Sequence, residues 1–61
     1  MFLRAKRKAL GFTQESLAKK SRVARITICR IESGEYKPSV PVAKRIAAVL
    51  DFDWTKFFEK S

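Results

Sequence analysis

The stretch Phe12-Thr13-Gln14-Glu15-Ser16-Leu17-Ala18-Lys19-Lys20-Ser21-Arg22-Val23-Ala24-Arg25-Ile26-Thr27-Ile28-Cys29-Arg30-Ile31-Glu32-Ser33-Gly34 reads as two short helices separated by a three-residue break. Thr13 is placed as an N-cap, because a hydroxyl just before a helix can accept one of its orphan backbone N–H groups. The helix it opens runs from Gln14 to about Lys20, with Leu17 and Ala18 facing inward. Ser21-Arg22-Val23 forms the break. The next helix runs from about Ala24 to Ser33 and is stopped by Gly34, the residue best suited to a left-handed C-cap. Ile28 and Ile31, three apart, mark its buried stripe. Its opposite side presents Arg25, Ile26, Cys29 and Arg30.

The flanks are read in the same way. Leu3, Arg7 and Leu10 fall at helical spacing and Gly11 follows them, so a first helix precedes the stretch. Pro38 keeps Lys37 out of helical geometry and makes Tyr36-Lys37-Pro38 a loop. Ser39 caps a fourth helix with Pro41 in its first turn, where a missing N–H costs little. Ala43, Ile46, Ala47 and Leu50 line one side of that helix. Asp53 caps a last short helix from Trp54 to about Glu59. The expected fold is all-α, a single compact domain of five short helices over residues 1–61. Its second and third helices form a helix-turn-helix unit at about 13–33, with Ala18 and Val23 at the close-packing points.

Charge separates the two halves. Residues 1–30 hold nine Lys and Arg against Glu15 alone, while residues 31–61 hold five against five, so the net charge of +8 lies wholly in the first half. Such an asymmetry attracts polyanions, nucleic acid first and an anionic membrane surface second. The single Cys excludes an internal disulfide, and the absence of His removes the usual zinc ligand sets. No apolar run approaches the roughly 18 residues of a membrane span, and the charged N-terminus is unlike a signal peptide. With no metal cluster, phosphate loop or paired carboxylates, no catalytic residues and no cofactor are expected. Two guanidinium groups on the exposed face of one short helix have the reach to touch neighbouring bases in a major groove. Arg bonds guanine O6 and N7 bidentately there. Ile26 is the odd apolar member of that face, and a thymine methyl is its natural partner, the alternative being a tolerated surface apolar residue. Cys29 is read as a bystander with a free thiol, the alternative being a groove contact.

The runs Phe12 to Ala18, Val23 to Gly34, and Lys37-Pro38-Ser39 resemble the Cro/C1-type (Xre) helix-turn-helix family, which includes lambdoid phage repressors and many small bacterial regulators. The resemblance extends from about Leu3 to Phe58. It implies that Gln14 meets the phosphate backbone or an outer base, that Arg25, Ile26 and Arg30 read bases, and that Thr27 and Lys37 meet phosphates. Arg22 is added to this DNA-facing set as a residue lying near the phosphates. The family also pairs an Arg of the first helix with the Glu that closes the third, here Arg7 and Glu32, as a structural ion pair. Arg22 stands where the family usually has Gly, Ala24 where it has a Ser or Thr cap, and Asp51 where Gly often ends the fourth helix.

Four of the seven aromatic residues, Phe52, Trp54, Phe57 and Phe58, crowd the C-terminal end. Phe52, Trp54 and Phe58 are assigned to a dimer interface, because exposed aromatic patches mark contact surfaces and the family commonly dimerises near its last helix. A twofold dimer would set two recognition helices one DNA turn apart, about 34–36 Å, against a roughly palindromic operator. The expected function is a sequence-specific, dimeric transcription regulator of double-stranded DNA, a repressor of phage or mobile-element type, cytoplasmic and nucleoid-associated. The alternative is an antitoxin or adaptor whose aromatic surface binds another protein, with DNA binding secondary or autoregulatory. A membrane-active basic peptide is the third reading. The capped helices and the Arg7/Glu32 pair count against it, since they predict folding without lipid.

Overall fold

The computed structural model describes residues 2–58. Four helices, α1 (Phe2–Ala9), α2 (Gln14–Ser21), α3 (Arg25–Ser33) and α4 (Val40–Leu50), are followed by a 3-10 turn over Trp54–Phe58. The described residues are thus all helical, with four α-helices where five were expected. The segment after Asp53 forms a 3-10 turn in place of the expected α-helix, its Lys56 N–H bonding back to the Asp53 carbonyl at 3.0 Å. The expected end of that segment at Glu59 lies outside the described residues.

All four helices stop in the same way. The Phe12, Val23, Glu35 and Phe52 amides reach back to the carbonyls of Arg7, Ala18, Arg30 and Ala47 at 3.0–3.1 Å. Each preceding residue takes the left-handed backbone that this reversal requires: Gly11 at φ 80°, Arg22 at 59°, Gly34 at 86° and Asp51 at 57°. Two of these positions therefore carry a Cβ where glycine would be unstrained. Phe12, Val23 and Phe52, just past the reversals, turn inward, and the Val23 side chain closes the corner between α2 and α3. The α1 ending also corrects the reading of Leu10. The helix stops at Ala9 and the chain reverses at Gly11, so Leu10 never completes the inward row and is 51% exposed.

The starts are less uniform. Thr13 and Ser16 form a reciprocal capping box at α2, the Ser16 amide donating to Thr13 Oγ1 at 3.0 Å and the Thr13 amide to Ser16 Oγ at 2.9 Å. The Ser39 hydroxyl accepts the Val42 amide at α4. Ala24 precedes α3 with extended backbone and no side-chain cap. Leu3, Leu17, Ile28, Ile31, Ile46 and Leu50 are fully buried, so every α-helix contributes to one core. Each such side chain contributes roughly 1.5–3 kcal/mol. Phe57 covers the open end of this core. Phe2, Phe52 and Phe57 meet there with ring centroids 5.3–5.4 Å apart.

Candidate nucleic-acid interface

Helical spacing divides α3 cleanly. Ile28, Ile31 and Glu32 point into the molecule, while Arg25, Ile26, Cys29 and Arg30 are exposed and Thr27 is half-buried. Ile26, 57% exposed, is the most open large apolar side chain among the described residues. Positions 25, 26, 29 and 30 are neighbours on a helix surface because i+3 and i+4 side chains stack over successive turns. The result is an apolar pair, Ile26 and Cys29, set between two guanidinium groups.

Glu32 fixes how this helix sits. Arg7 of α1 donates from Nε to Glu32 Oε2 at 2.7 Å and from Nη2 to Oε1 at 3.1 Å, and its Nη1 donates to the Phe12 carbonyl at 2.9 Å. Both side chains are buried. One guanidinium therefore holds α1, the turn after it and the last turn of α3 in one arrangement. Burial alone would raise the Glu32 carboxyl. The hydrogen bonds from Arg7 and Gln14 and the Arg7 charge outweigh it and hold the group below its ordinary value. The same carboxylate raises Arg7 above its already high value through their hydrogen bond.

Gln14 is tied into the same cluster, its Nε2 donating to Glu32 Oε1 at 3.2 Å. It is the first residue of α2, where amide groups without intrahelical acceptors form a natural phosphate seat. Gln14, Arg25, Ile26 and Cys29 together line one shallow depression between the start of α2 and the exposed face of α3. A wider groove beside it runs along Lys8, Gly11 and Thr13 and shares Gln14 and Arg25. Arg22, Arg30 and Lys37 are exposed but border neither depression. Lys37 projects from the loop between α3 and α4, next to the buried Pro38 that anchors that loop.

Two residues have positions that sequence reasoning missed. Cys29, read as a bystander, lines the depression with Ile26; its place four residues after Arg25 was the available signal. Arg4, to which the sequence assigned no role, leans on Glu32 with Nε 3.5 Å from Oε1. It precedes Arg7 by three residues and so lies on the same side of the helix.

At the far end of the molecule, Phe52, Trp54 and Phe58 are half-buried against the core. Trp54 and Phe58 meet edge to face at 6.0 Å, and the Lys44 ammonium lies 5.2 Å from the Trp54 ring centroid. Among the described residues no group of three or more His, Cys, Asp or Glu could hold a metal ion, and no helix is long and apolar enough to cross a membrane.

Residues 3–57 match the family model described as Helix-turn-helix. The chain is similar to the uncharacterized HTH-type transcriptional regulator YqaF of Bacillus subtilis (strain 168), with 48% identity over 58 residues, or 95% of this chain and 76% of that protein. It is also similar to an uncharacterized HTH-type transcriptional regulator of Methanothermobacter thermautotrophicus, 50% identical over 79% of this chain and 70% of that one. A third, from Archaeoglobus fulgidus, is 47% identical over 80% and 70% of the two chains. No solved structure matches the chain significantly.

Proposed function

The chain belongs to the Cro/C1-type helix-turn-helix family of transcriptional regulators, and on that premise we propose that it is a sequence-specific reader of double-stranded DNA, acting as a dimeric repressor of phage or mobile-element type within the cytoplasm. The observation that carries this reading is the exposed face of α3, where Arg25 and Arg30 flank Ile26 and Cys29 and nothing in the fold covers them among the described residues. Arg25 and Arg30 read guanines, each bidentate pair discriminating by about 1–3 kcal/mol, and Ile26 takes an apolar base edge. Gln14 and Thr27 flank the read bases. Arg22 and Lys37 meet phosphates, which position the protein without specifying sequence. Arg7 and Glu32 stay internal and set the angle of α3.

Dimerisation is assigned to the aromatic end. Phe52, Trp54 and Phe58 lie on the 3-10 turn and the bend before it, and the second half of the chain carries no net charge to repel a second copy. Selection of duplexes from a random pool by the purified protein, with mass measured on and off DNA, tests the whole reading. A conserved two-part site and a two-protomer complex are expected. An unselective pool sinks DNA reading, and co-purification of a different polypeptide on the aromatic surface favours the antitoxin or adaptor reading.

A further inference from the structure

We infer that Ile26 and Cys29 form a subsite for the C5-methyl group of a pyrimidine, so that binding responds to that methyl whether thymine or 5-methylcytosine carries it. The inference rests on the DNA-reading function proposed above and specifies one of its contacts. Ile26 and Cys29 stand three residues apart, both exposed, and share a depression with Arg25 and Gln14. Cationic and amide groups rim this depression, but Ile26 offers only hydrocarbon to whatever enters it. On the floor of a major groove the one apolar group presented by an unmodified base pair is the thymine methyl, and methylation at C5 places the same group on cytosine. Arg25 at the rim puts a guanine contact beside the methyl, so the preferred site joins a 5-methylpyrimidine to a neighbouring guanine.

Cys29 supports the assignment through its size. A thiol side chain is small and weakly polar, leaving room for a methyl that a longer residue at 29 would displace. Burial of one methyl between Ile26 and Cys29 is worth about fourfold in affinity.

The test starts from the duplex selected in the random-pool experiment. Each selected thymine is replaced singly by deoxyuridine. Where a loss appears, cytosine and 5-methylcytosine are compared at that position opposite guanine. Each comparison removes only the methyl. At one position in each half-site, thymine should bind about fourfold better than deoxyuridine. The Ile26→Ala protein, altered at an exposed position that leaves the core intact, should bind both within twofold. An effect in both comparisons is expected; an effect in the thymine comparison alone confines the subsite to thymine and overturns its extension to 5-methylcytosine. Deoxyuridine tolerated within twofold at every position overturns the inference while leaving DNA reading intact, as does a methyl effect of unchanged size in Ile26→Ala. A pool that yields no preferred duplex overturns both together.

Discussion

On the inner side of α3, Ile28 and Ile31 are fully buried and Glu32 is enclosed by Arg7 and Gln14; on the outer side Arg25, Ile26, Cys29 and Arg30 stand in solvent. The inner residues are fixed by shape and by a buried charge that Arg7 neutralises, with Arg4 at its edge. The outer residues touch nothing that the fold needs. A single helix can thus keep a constant pose while its reading face varies, because neighbouring positions 100° apart belong to different tasks. The two sides meet at one atom. Glu32 Oε1 accepts from both Arg7, which sets the pose, and Gln14, which faces the depression beside Arg25.

The sharpest contrast comes from the inner side. Glu32→Ala leaves Arg7 buried without its counter-charge, a change that costs about 3–5 kcal/mol. A chain of this length has roughly 3–9 kcal/mol of stability in all, so urea unfolding should find the variant largely or wholly unfolded. A loss below about 1 kcal/mol would show the pair to be dispensable. The pH dependence has the same origin. The Glu32 carboxyl is held below its unfolded value of about 4.3, so the folded state favours the ionised form. Its contribution is complete above that value and is lost as the pH falls through the lower folded value. Urea midpoints should therefore drop below about pH 4, in step with Glu32 protonation followed by NMR.

The outer side should respond in the opposite currency. Arg25→Ala and Arg30→Ala should each remove about 1–3 kcal/mol of discrimination against a wrong base, while exposed substitutions of this kind leave stability within about 0.5 kcal/mol. Binding competition between the selected duplex and single-base variants measures the first quantity, and urea unfolding the second. If the double variant selects the same site from a random pool, α3 is not the reading helix.

Most of this division is written in residue spacing. Ile28 and Ile31 at helical period, Gly11 and Gly34 at helix ends, and Thr13 before Gln14 each carry their own local physics, and each element formed where that physics places it. Leu10 was misplaced because its spacing continues a helix that the reversal at Gly11 has already ended. The last segment closes a 3-10 ladder over Trp54–Phe58, which a cap at Asp53 followed by apolar residues does not distinguish from an α-helix. The link from Gln14 to Glu32 joins residues 18 apart through the packing of two helices, and no local pattern announces it. Cys29 follows Arg25 by four residues, so spacing puts it on the exposed face, but its residue type does not reveal that it lines a depression there.

The turn between α2 and α3 offers an intermediate effect with two signs. Arg22 holds φ 59° with a side chain attached, at a cost of about 1 kcal/mol relative to a residue without a Cβ. Arg22→Gly should therefore raise the thermal midpoint modestly while weakening DNA binding, if its guanidinium meets a phosphate. Ala24→Ser supplies the hydroxyl that the start of α3 lacks and should add about 1 kcal/mol with no loss of charge. A loss of affinity in Arg22→Gly that is absent in Ala24→Ser separates the contact from the backbone effect.

The smallest expected effect lies at Lys37, and it tests whether positioning and reading are separate. Lys37 is held beside α3 by the buried Pro38 but belongs to a loop, outside both depressions that border Arg25. A flexible ammonium so placed can follow a phosphate but cannot offer the paired donors that distinguish guanine. Lys37→Ala should weaken the selected duplex and an unrelated duplex by the same factor, and lower the slope of log affinity against log salt by about 0.9. The ratio between the two duplexes is the decisive quantity. If it falls with Lys37, the loop reads sequence, and the reading surface extends past the face of α3 onto the segment that follows it.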